Sequence, residues 1–307
     1  MIVDAHAHIG DFRTGPDDPR LPMSWPDLIA RLDEEGIDKA VLLPVYNASP
    51  EGAPLGMICN QGMSVYDQVV DAVRYPDRII PFGNVDPRWG KNRPETDFGP
   101  LLEWFIEHGC RGLGEVTANL PFDDSRVVNA FRQAGEHGLL VTIESTGFNP
   151  GHYGLQDDPG SPRLERLLRA CPDTTIIGHG PGFWAEMSAA VTVDEKCGDL
   201  YEGGYPKGPI EQEGSVPRLL RQYPNLYADL SAGSGWNAIT RDREYGIRFL
   251  DEFQDKLVFG TDVCFSNLEW RMPQLNYLKQ LLAEGKLGQQ AFDKIASGNI
   301  LRLLGEA

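Results

Sequence analysis

The chain has 307 residues, a net charge of −17 and 41% hydrophobic residues. That is enough to bury a large core and ordinary for a single α/β barrel domain spanning 1–307. The charge argues against nucleic acid and anionic membranes as partners, and no apolar run reaches the roughly 18 residues of a membrane span. No basic segment followed by an apolar stretch opens the chain, so no secretory signal is expected. The five cysteines (Cys59, Cys110, Cys171, Cys197, Cys264) form no CxxC pair, which points to reduced thiols and a cytoplasmic protein.

Short runs rich in Val and Ile alternate with amphipathic stretches along the whole chain. The expected strands are Ile2–His8, Lys39–Val45, Ile79–Val85, Gly112–Val116, Leu139–Ser145, Thr174–His179, Leu226–Ser231 and Leu257–Val263. Between and after them lie expected helices at Trp25–Glu35, Asn60–Tyr75, Gly99–His108, Ser125–His137, Pro162–Ala170, Val216–Gln222, Tyr245–Gln254, Trp270–Ala283 and Gln289–Leu304. Ser24 is placed to cap the first of these, with Pro26 in its first turn. Several others stop at Gly or Pro. His108 and His137 fall at helix C-termini, where an imidazole suits the helix dipole. The strands read as continuous apolar runs, which suits a parallel sheet covered on its outer face. Eight such units favour an α/β fold of the parallel (β/α)8 TIM-barrel type, with a doubly wound sheet as the runner-up. Three connections are long and rich in Gly, Pro and acid: Tyr46–Cys59, Gly147–Ser161 and Pro181–Ser215. Long βα loops are where substrate selection usually sits, and the third is expected to carry short extra helices.

In a barrel, chemistry collects at the C-terminal strand ends, and this sequence places polar residues there repeatedly. Strand one ends in His6 and His8, two apart and so on one face. Glu115 ends strand four, Glu144 strand five, His179 strand six and Asp262 strand eight, while strand seven carries Asp229. Each alone has a bland reading as a cap, a loop salt bridge or a structural histidine. Together they do not: buried carboxylates and imidazoles cost several kcal/mol each unless paired or metal-bound. A divalent metal cage is the economical explanation. The Gly-rich stretch Ser231–Asn237 lacks the GK[ST] of a phosphate loop and is expected to shape the pocket floor, with Ser234 and Asn237 as polar contacts. Gly260 and Thr261 read as packing residues. Arg241, Trp184, Trp236, His152 and Tyr153 fall in βα loops as candidate substrate contacts. Arg241 suits a bidentate pair with a substrate carboxylate.

The motifs Asp-Ala-His-Ala-His (4–8), Ile-Ile-Gly-His-Gly (176–180), Val-Phe-Gly-Thr-Asp (258–262) and Ser-Gly-Asn-Ile-Leu-Arg-Leu-Leu (297–304) follow one another across nearly the whole chain. In this the sequence resembles the amidohydrolase superfamily, in particular its amidohydrolase 2 branch. The resemblance implies a (β/α)8 barrel with one or two divalent ions, zinc expected and manganese the alternative. His6, His8 and Asp262 match the family's ligands. His179 matches the strand-six histidine, which binds a second ion or contacts the reacting water. Glu115 is similar to a metal-binding Gly-Glu of a related branch. The family usually has a histidine where Glu144 stands, so Glu144 is open to reading as a ligand, a supporting partner or an acid/base group.

The implied chemistry is attack of a metal-activated water on an amide, lactone or ester carbonyl of a small molecule. Asp262 serves as proton shuttle, and the metal or His179 polarises the carbonyl. The alternatives are a lyase, either a decarboxylase or a hydratase, on a small carboxylic acid, and a barrel that binds a metabolite without turnover. A homo-oligomer is compatible with the sequence, which does not fix the assembly.

Overall fold

The structure is a computed structural model, and it describes residues 1–13, 15, 17–45, 60, 62–147, 153–200, 204–267 and 273–306. The expected loop Tyr46–Cys59 lies outside them.

All eight expected strands form, six of them shorter than expected, β4 with the expected bounds and β5 shifted by one residue: β1 Val3–Ala7, β2 Lys39–Leu42, β3 Ile79–Pro81, β4 Gly112–Val116, β5 Leu140–Thr146, β6 Ile176–His179, β7 Leu226–Asp229 and β8 Leu257–Val258. A two-residue strand, Leu155–Gln156, adds to the end of β5. Pairing is parallel throughout, in the order β1-β2-β3 and β4-β5-β6-β7-β8. Both seams are joined. Gly83 N donates to Gly112 O (2.9 Å) between the β3 and β4 edges, and a Gly83–Leu113 bridge sits beside it. Ala5 N donates to Phe259 O (2.8 Å) and His8 N to Val263 O (3.0 Å) between β1 and the end of β8. The ring is a TIM barrel, and the doubly wound alternative is excluded because strand order never reverses.

The outer ring is built from α1 Trp25–Glu35, α2 Val65–Ala72, α3 Gly99–Glu107, α4 Ser125–Glu136, α5 Pro162–Ala170, α6 Ser215–Gln222, α7 Ala232–Thr240, α8 Arg243–Glu252 and α9 Gln274–Ala283. Ser24 caps α1 in a box with Asp27, and Gly36 ends it in the left-handed conformation, as the sequence implies. α2 starts later than expected. Ser64 and Asp67 form its capping box, while the buried Asn60 stands ahead of it, accepting from Gly62 N and Met63 N and donating to Ile9 O. The stretch 231–237 is helical, with Ser231 at the N-cap and 232–237 forming most of α7. Its glycines serve close packing, since a Cβ at Gly235 would lie 2.3 Å from Leu230 O. The long connection after β6 carries short helical pieces, Pro181–Trp184, Ala185–Met187 and Glu195–Leu200.

Two apolar layers hold the barrel. Leu28, Leu32, Leu102, Phe105, Phe131 and Leu167 pack on the outward strand residues Ala40, Leu42, Leu113, Val141, Ile143, Ile176 and Ala228. Each buried Leu contributes roughly 1.5–3 kcal/mol relative to exposure. Inside, Val3, Ala5, Val41, Ile80, Phe82, Leu140, Ile177, Tyr227 and Val258 fill the barrel, joined by Ile300 and Leu304 of the C-terminal helix. Gly112 makes room for Phe82, whose ring a Cβ would meet at 2.5 Å. In the final motif the buried Asn299 donates to Leu257 O (2.8 Å) and Gln254 O (2.7 Å), tying the closing helix to β8.

The inner layer also explains how the polar strand ends reach the mouth. In β5, β6, β7 and β8 simple alternation suffices: Leu140, Thr142 and Glu144 share one face, as do Ile177 and His179, and Tyr227 and Asp229. In β1 it does not. Val3 and Ala5 point inward, and strict alternation would turn His6 and His8 outward. The β1–β2 register shifts between Asp4 and Ala7, so beyond it Ala7 and Ile9 join the outer layer and His6 and His8 face inward. β4 shows a similar shift between Leu113 and Val116. Both of those residues face outward, and Glu115 between them is delivered to the mouth. Bulges of this kind re-aim side chains next to active sites.

Candidate active site

His6, His8, Glu115, His179 and Asp262 meet at one place. His6 Nε2 lies 2.9 Å from His8 Nε2, 3.7 Å from Glu115 Oε2 and 3.6 Å from Asp262 Oδ1. His8 Nε2 is 3.1 Å from Asp262 Oδ1 and 3.6 Å from Glu115 Oε2. His179 Nε2 closes the ring, 3.9 Å from Glu115 Oε1 and 3.9 Å from Asp262 Oδ2. Glu144 joins it at 3.5 Å from His179 Nε2.

Each imidazole has its other nitrogen engaged. His6 Nδ1 contacts Asp229 Oδ2 at 2.6 Å, and His8 Nδ1 contacts Leu43 O at 2.7 Å. These acceptors require Nδ1–H. Ser231 Oγ gives its only proton to Asp229 Oδ2 (2.8 Å), so it accepts from His179 Nδ1 at 3.0 Å. Donor counting thus fixes all three tautomers, with Nε2 lone pairs turned into the cluster. Second partners that orient histidines this way are characteristic of metal sites.

The electrostatics of the cluster favour positive charge. Burial opposes charging His6, but Asp262, Asp229 and Glu115 outweigh it and hold its pKa well above the ordinary value. Burial pushes the Glu115 carboxyl up, yet the neighbouring imidazoles of His6, His179 and His8 bring it down to about 2. Asp229, buried as deeply, is held below the usual carboxylate range by His6 and His179. Glu144 goes the other way: burial first, then the negative charges of Glu115 and Asp262, raise it well above an ordinary glutamate. Its Oε1 is buried with no hydrogen-bond partner among the described residues. Two overlapping sets, His6–His8–Asp262 and His6–Glu115–His179, each bring three ligand atoms within 4.8 Å of one another. Two lone pairs facing each other at 2.9 Å, ringed by carboxylates, suit a divalent ion with mixed nitrogen and oxygen donors.

The family model for amidohydrolases matches residues 3–305. The chain belongs to the amidohydrolase-2 family. Among curated proteins none matches it in sequence. The solved structures it is similar to include an uncharacterised TIM-barrel protein from Bordetella bronchiseptica (TM-score 0.60, 16% identity, 99% of this chain and 98% of that one). A second is a probable 2-pyrone-4,6-dicarboxylic acid hydrolase from Acinetobacter baumannii with citric acid bound (0.57, 15%, 99% and 99%). A third is a dihydroxybenzoic acid decarboxylase from Polaromonas with bound manganese and the inhibitor 2-nitroresorcinol (0.56, 15%, 99% and 96%). At these identities the likeness shows the fold alone. The amidohydrolase-2 family is enzymatic and metal-dependent, and hydrolases and decarboxylases both occur among the structures this chain resembles.

Several residues of this family member were harder to find from sequence. Asp4, fully buried, accepts from His6 N, Thr261 N and Thr261 Oγ1; burial lifts its pKa to about 7 against those hydrogen bonds. Thr261 is therefore a hydrogen-bond partner and not mere packing. Together they join the 4–8 and 258–262 motifs and fix Asp262, which sits at φ 60°. A left-handed backbone at a non-glycine residue is sparsely populated and costs of order 1–3 kcal/mol. Asn84 donates to Pro44 O (2.7 Å) and Glu115 O (2.6 Å), setting the end of β4. Asp229 was visible as a buried strand-end acid, but its use as the common support of two histidines needed the third dimension.

The loop residues stand elsewhere. Trp184 is buried, its indole N–H given to Asp229 O (2.9 Å). It supports the end of β7 from behind. Trp236 is half-buried and packs edge-on against Tyr277. Arg241 ends α7, outside the histidine cluster, with Nε and Nη2 buried and without hydrogen-bond partners among the described residues. Burial lowers its pKa despite nearby Glu195 and Asp242. His152 lies outside the described residues. His108 and His137 cap their helices, their Nδ1 atoms 2.8 Å from Trp104 O and Gln133 O. No described helix is long and apolar enough to cross a membrane, and Cys110, Cys171 and Cys264 form no disulfide among the described residues.

Proposed function

We propose that this chain is a metal-dependent hydrolase that adds water across an amide, lactone or ester carbonyl of a small molecule, with zinc as its ion. The observation that carries this reading is the inward convergence of three Nε2 atoms and the Glu115 and Asp262 carboxylates, with every Nδ1 proton turned outward. His6, His8 and Asp262 would hold the ion, with Glu115 and His179 completing its surroundings. A bound divalent ion supplies Lewis acidity, acidifying water and polarising a carbonyl. The chain's own residues supply the rest. Asp262, whose side chain is 26% exposed against 5% for Glu115, is the carboxylate best placed to take a proton from the attacking water. Glu144, whose carboxyl is pushed well above the ordinary range by burial and by Glu115, serves as the acid that protonates the leaving group. His179 orients the carbonyl oxygen.

Charge favours hydrolysis over decarboxylation. Glu115, Asp229 and Asp262 crowd the reacting centre, so a substrate carboxylate placed among them would depend on the ion for its binding, which an uncharged carbonyl does less. A carboxylate farther along the substrate has a place at Arg241, whose Nε and Nη2 form one edge of the guanidinium and suit a two-bond pair. Arg241→Gln is expected to raise KM for a carboxylate-bearing substrate about 10- to 100-fold, the weight of a charged hydrogen bond. kcat and the KM of an uncharged analogue should stay nearly unchanged. Equal losses on both substrates would remove Arg241 from recognition.

The deciding experiment strips the metal and restores zinc or manganese while mass spectrometry follows lactones, esters and amides beside cyclic and aromatic carboxylic acids. Metal-dependent gain of water is the expected result. Release of CO₂ without hydrolysis would make the protein a lyase, and full turnover by protein shown to be metal-free would end the reading altogether.

A further inference from the structure

The βα loops hold a second buried ionic cluster that the chemistry above does not use. Lys196, in the helical turn Glu195–Leu200, is fully buried, where an ammonium is tolerated only if paired and hydrogen-bonded. Its Nζ donates to Glu186 Oε1 (2.8 Å) and to Gly182 O (2.8 Å). Glu186, also buried, accepts from Gly160 N (2.8 Å) and Ser215 Oγ (2.8 Å), and Ser215 Oγ contacts Ser161 Oγ. The connection after β5, the connection after β6 and the start of α6 therefore meet on one ion pair.

Gly182 belongs to the turn that directly follows His179. At Gly180, φ is 94° and a Cβ would lie 2.2 Å from Glu144 Oε1; at Gly182 a Cβ would lie 2.6 Å from Thr146 N. The backbone of this turn is thus pressed onto the Glu144 carboxyl and onto the end of β5. Trp184 pins its far side to Asp229 O. Lys196 is the outer pin, gripping the carbonyl in the middle.

We propose that Lys196 is a positioning residue: through Gly182 O it holds the Gly180–Gly182 turn against Glu144 and so sets the Glu144–His179 geometry on which turnover depends. This rests on the hydrolase reading for the job given to Glu144, but the placement of the turn does not depend on it. Side chains on strands, His6 and His8 among them, should be indifferent to the change, so metal binding and turnover should separate.

The test compares Lys196→Met, Lys196→Arg and the pair Lys196→Met/Glu186→Gln. The pair removes both members of the ion pair, keeps an acceptor for Gly160 N and turns an NH₂ donor toward Ser215 Oγ; the buried Asp157, which Lys196 also stabilises, keeps its backbone hydrogen bonds, so the pair guards against simple misfolding of the single variant. Zinc content and chelator-competition affinity, steady-state kinetics on whichever substrate the wild type turns over, and hydrogen exchange of the peptide covering 178–187 are measured together. The expected result is wild-type zinc affinity, kcat lower by about 10- to 100-fold with KM within about threefold, the size of effect a misplacement near 1 Å can have. Exchange in 178–187 should be faster, and Lys196→Arg should recover part of both. A folded double variant with wild-type kcat and wild-type exchange would overturn the proposal, as would loss of zinc in step with activity. If the wild type turns over no carbonyl substrate, the hydrolase reading falls, while the exchange measurement still decides whether Lys196 holds the turn.

Discussion

Asp262→Asn is expected to lower kcat by about 10²–10⁴, the usual weight of a positioned general base, while the fold and much of the metal survive. The reasons lie in the geometry. Oδ1 of Asp262 is 3.1 Å from His8 Nε2 and Oδ2 is 3.9 Å from His179 Nε2, so the carboxylate would help His6 and His8 hold the ion while staying beside His179. An amide of the same shape keeps a weak oxygen ligand but accepts no proton at neutral pH. The backbone should tolerate the change: Asp262 sits at φ 60°, a conformation that Asn adopts readily and most other residues do not. Alanine there would confound chemistry with strain, so asparagine is the cleaner probe. Rates must be compared after saturation with metal, by steady-state kinetics beside metal analysis. A metal-saturated Asn variant turning over near the wild-type rate would show that Asp262 is not the base. Glu144→Gln should then carry the loss instead.

The second large effect is expected at Asp229, which reaches no substrate. Asp229→Asn should weaken metal binding by about 10- to 100-fold, as loss of an orienting partner behind a ligating histidine does. Asp229 Oδ1 accepts from Ser231 N at 2.8 Å, while Oδ2 takes His6 Nδ1 and the Ser231 hydroxyl. In the amide variant the oxygen stays on the Ser231 N–H, so the NH₂ group faces His6 Nδ1. Two donors then oppose each other, and His6 escapes by moving its proton to Nε2, the atom that should bind metal. Chelator competition with zinc measures this directly, without any substrate. An affinity equal to that of the wild type would mean that His6 takes its tautomer from elsewhere or is not a ligand.

Much of this site was legible in the chain. Eight apolar runs at barrel spacing, six of them closed by polar residues, placed His6, His8, Glu115, Glu144, His179, Asp229 and Asp262 at strand ends, because a buried parallel strand has few reasons to end in a charge. Helix signals were equally local: Ser24 with Asp27, Pro26 and Gly36 bound α1 at both ends. Local signals misled where one composition serves two purposes. Ser231–Asn237 has the glycines of a loop, yet they let α7 lie against Leu230. Asn60 looked like a helix start, yet it spends its amide on Ile9, Gly62 and Met63.

What only the tertiary structure decided is direction and partnership. Alternation carried from Val3 and Ala5 would have turned His6 and His8 out under the helices. The register shift that brings them in depends on how β1 pairs with β2, and a pairing partner 35 residues away leaves no mark on a five-residue strand. The same holds for Glu115 in β4. Asp4 and Thr261 lie at opposite ends of the sequence, and they meet because β8 closes against β1. Sequence periodicity records which residues avoid water. It does not record which buried donor faces which buried acceptor, and at this site that second fact sets the tautomer of each histidine and the charge of each acid.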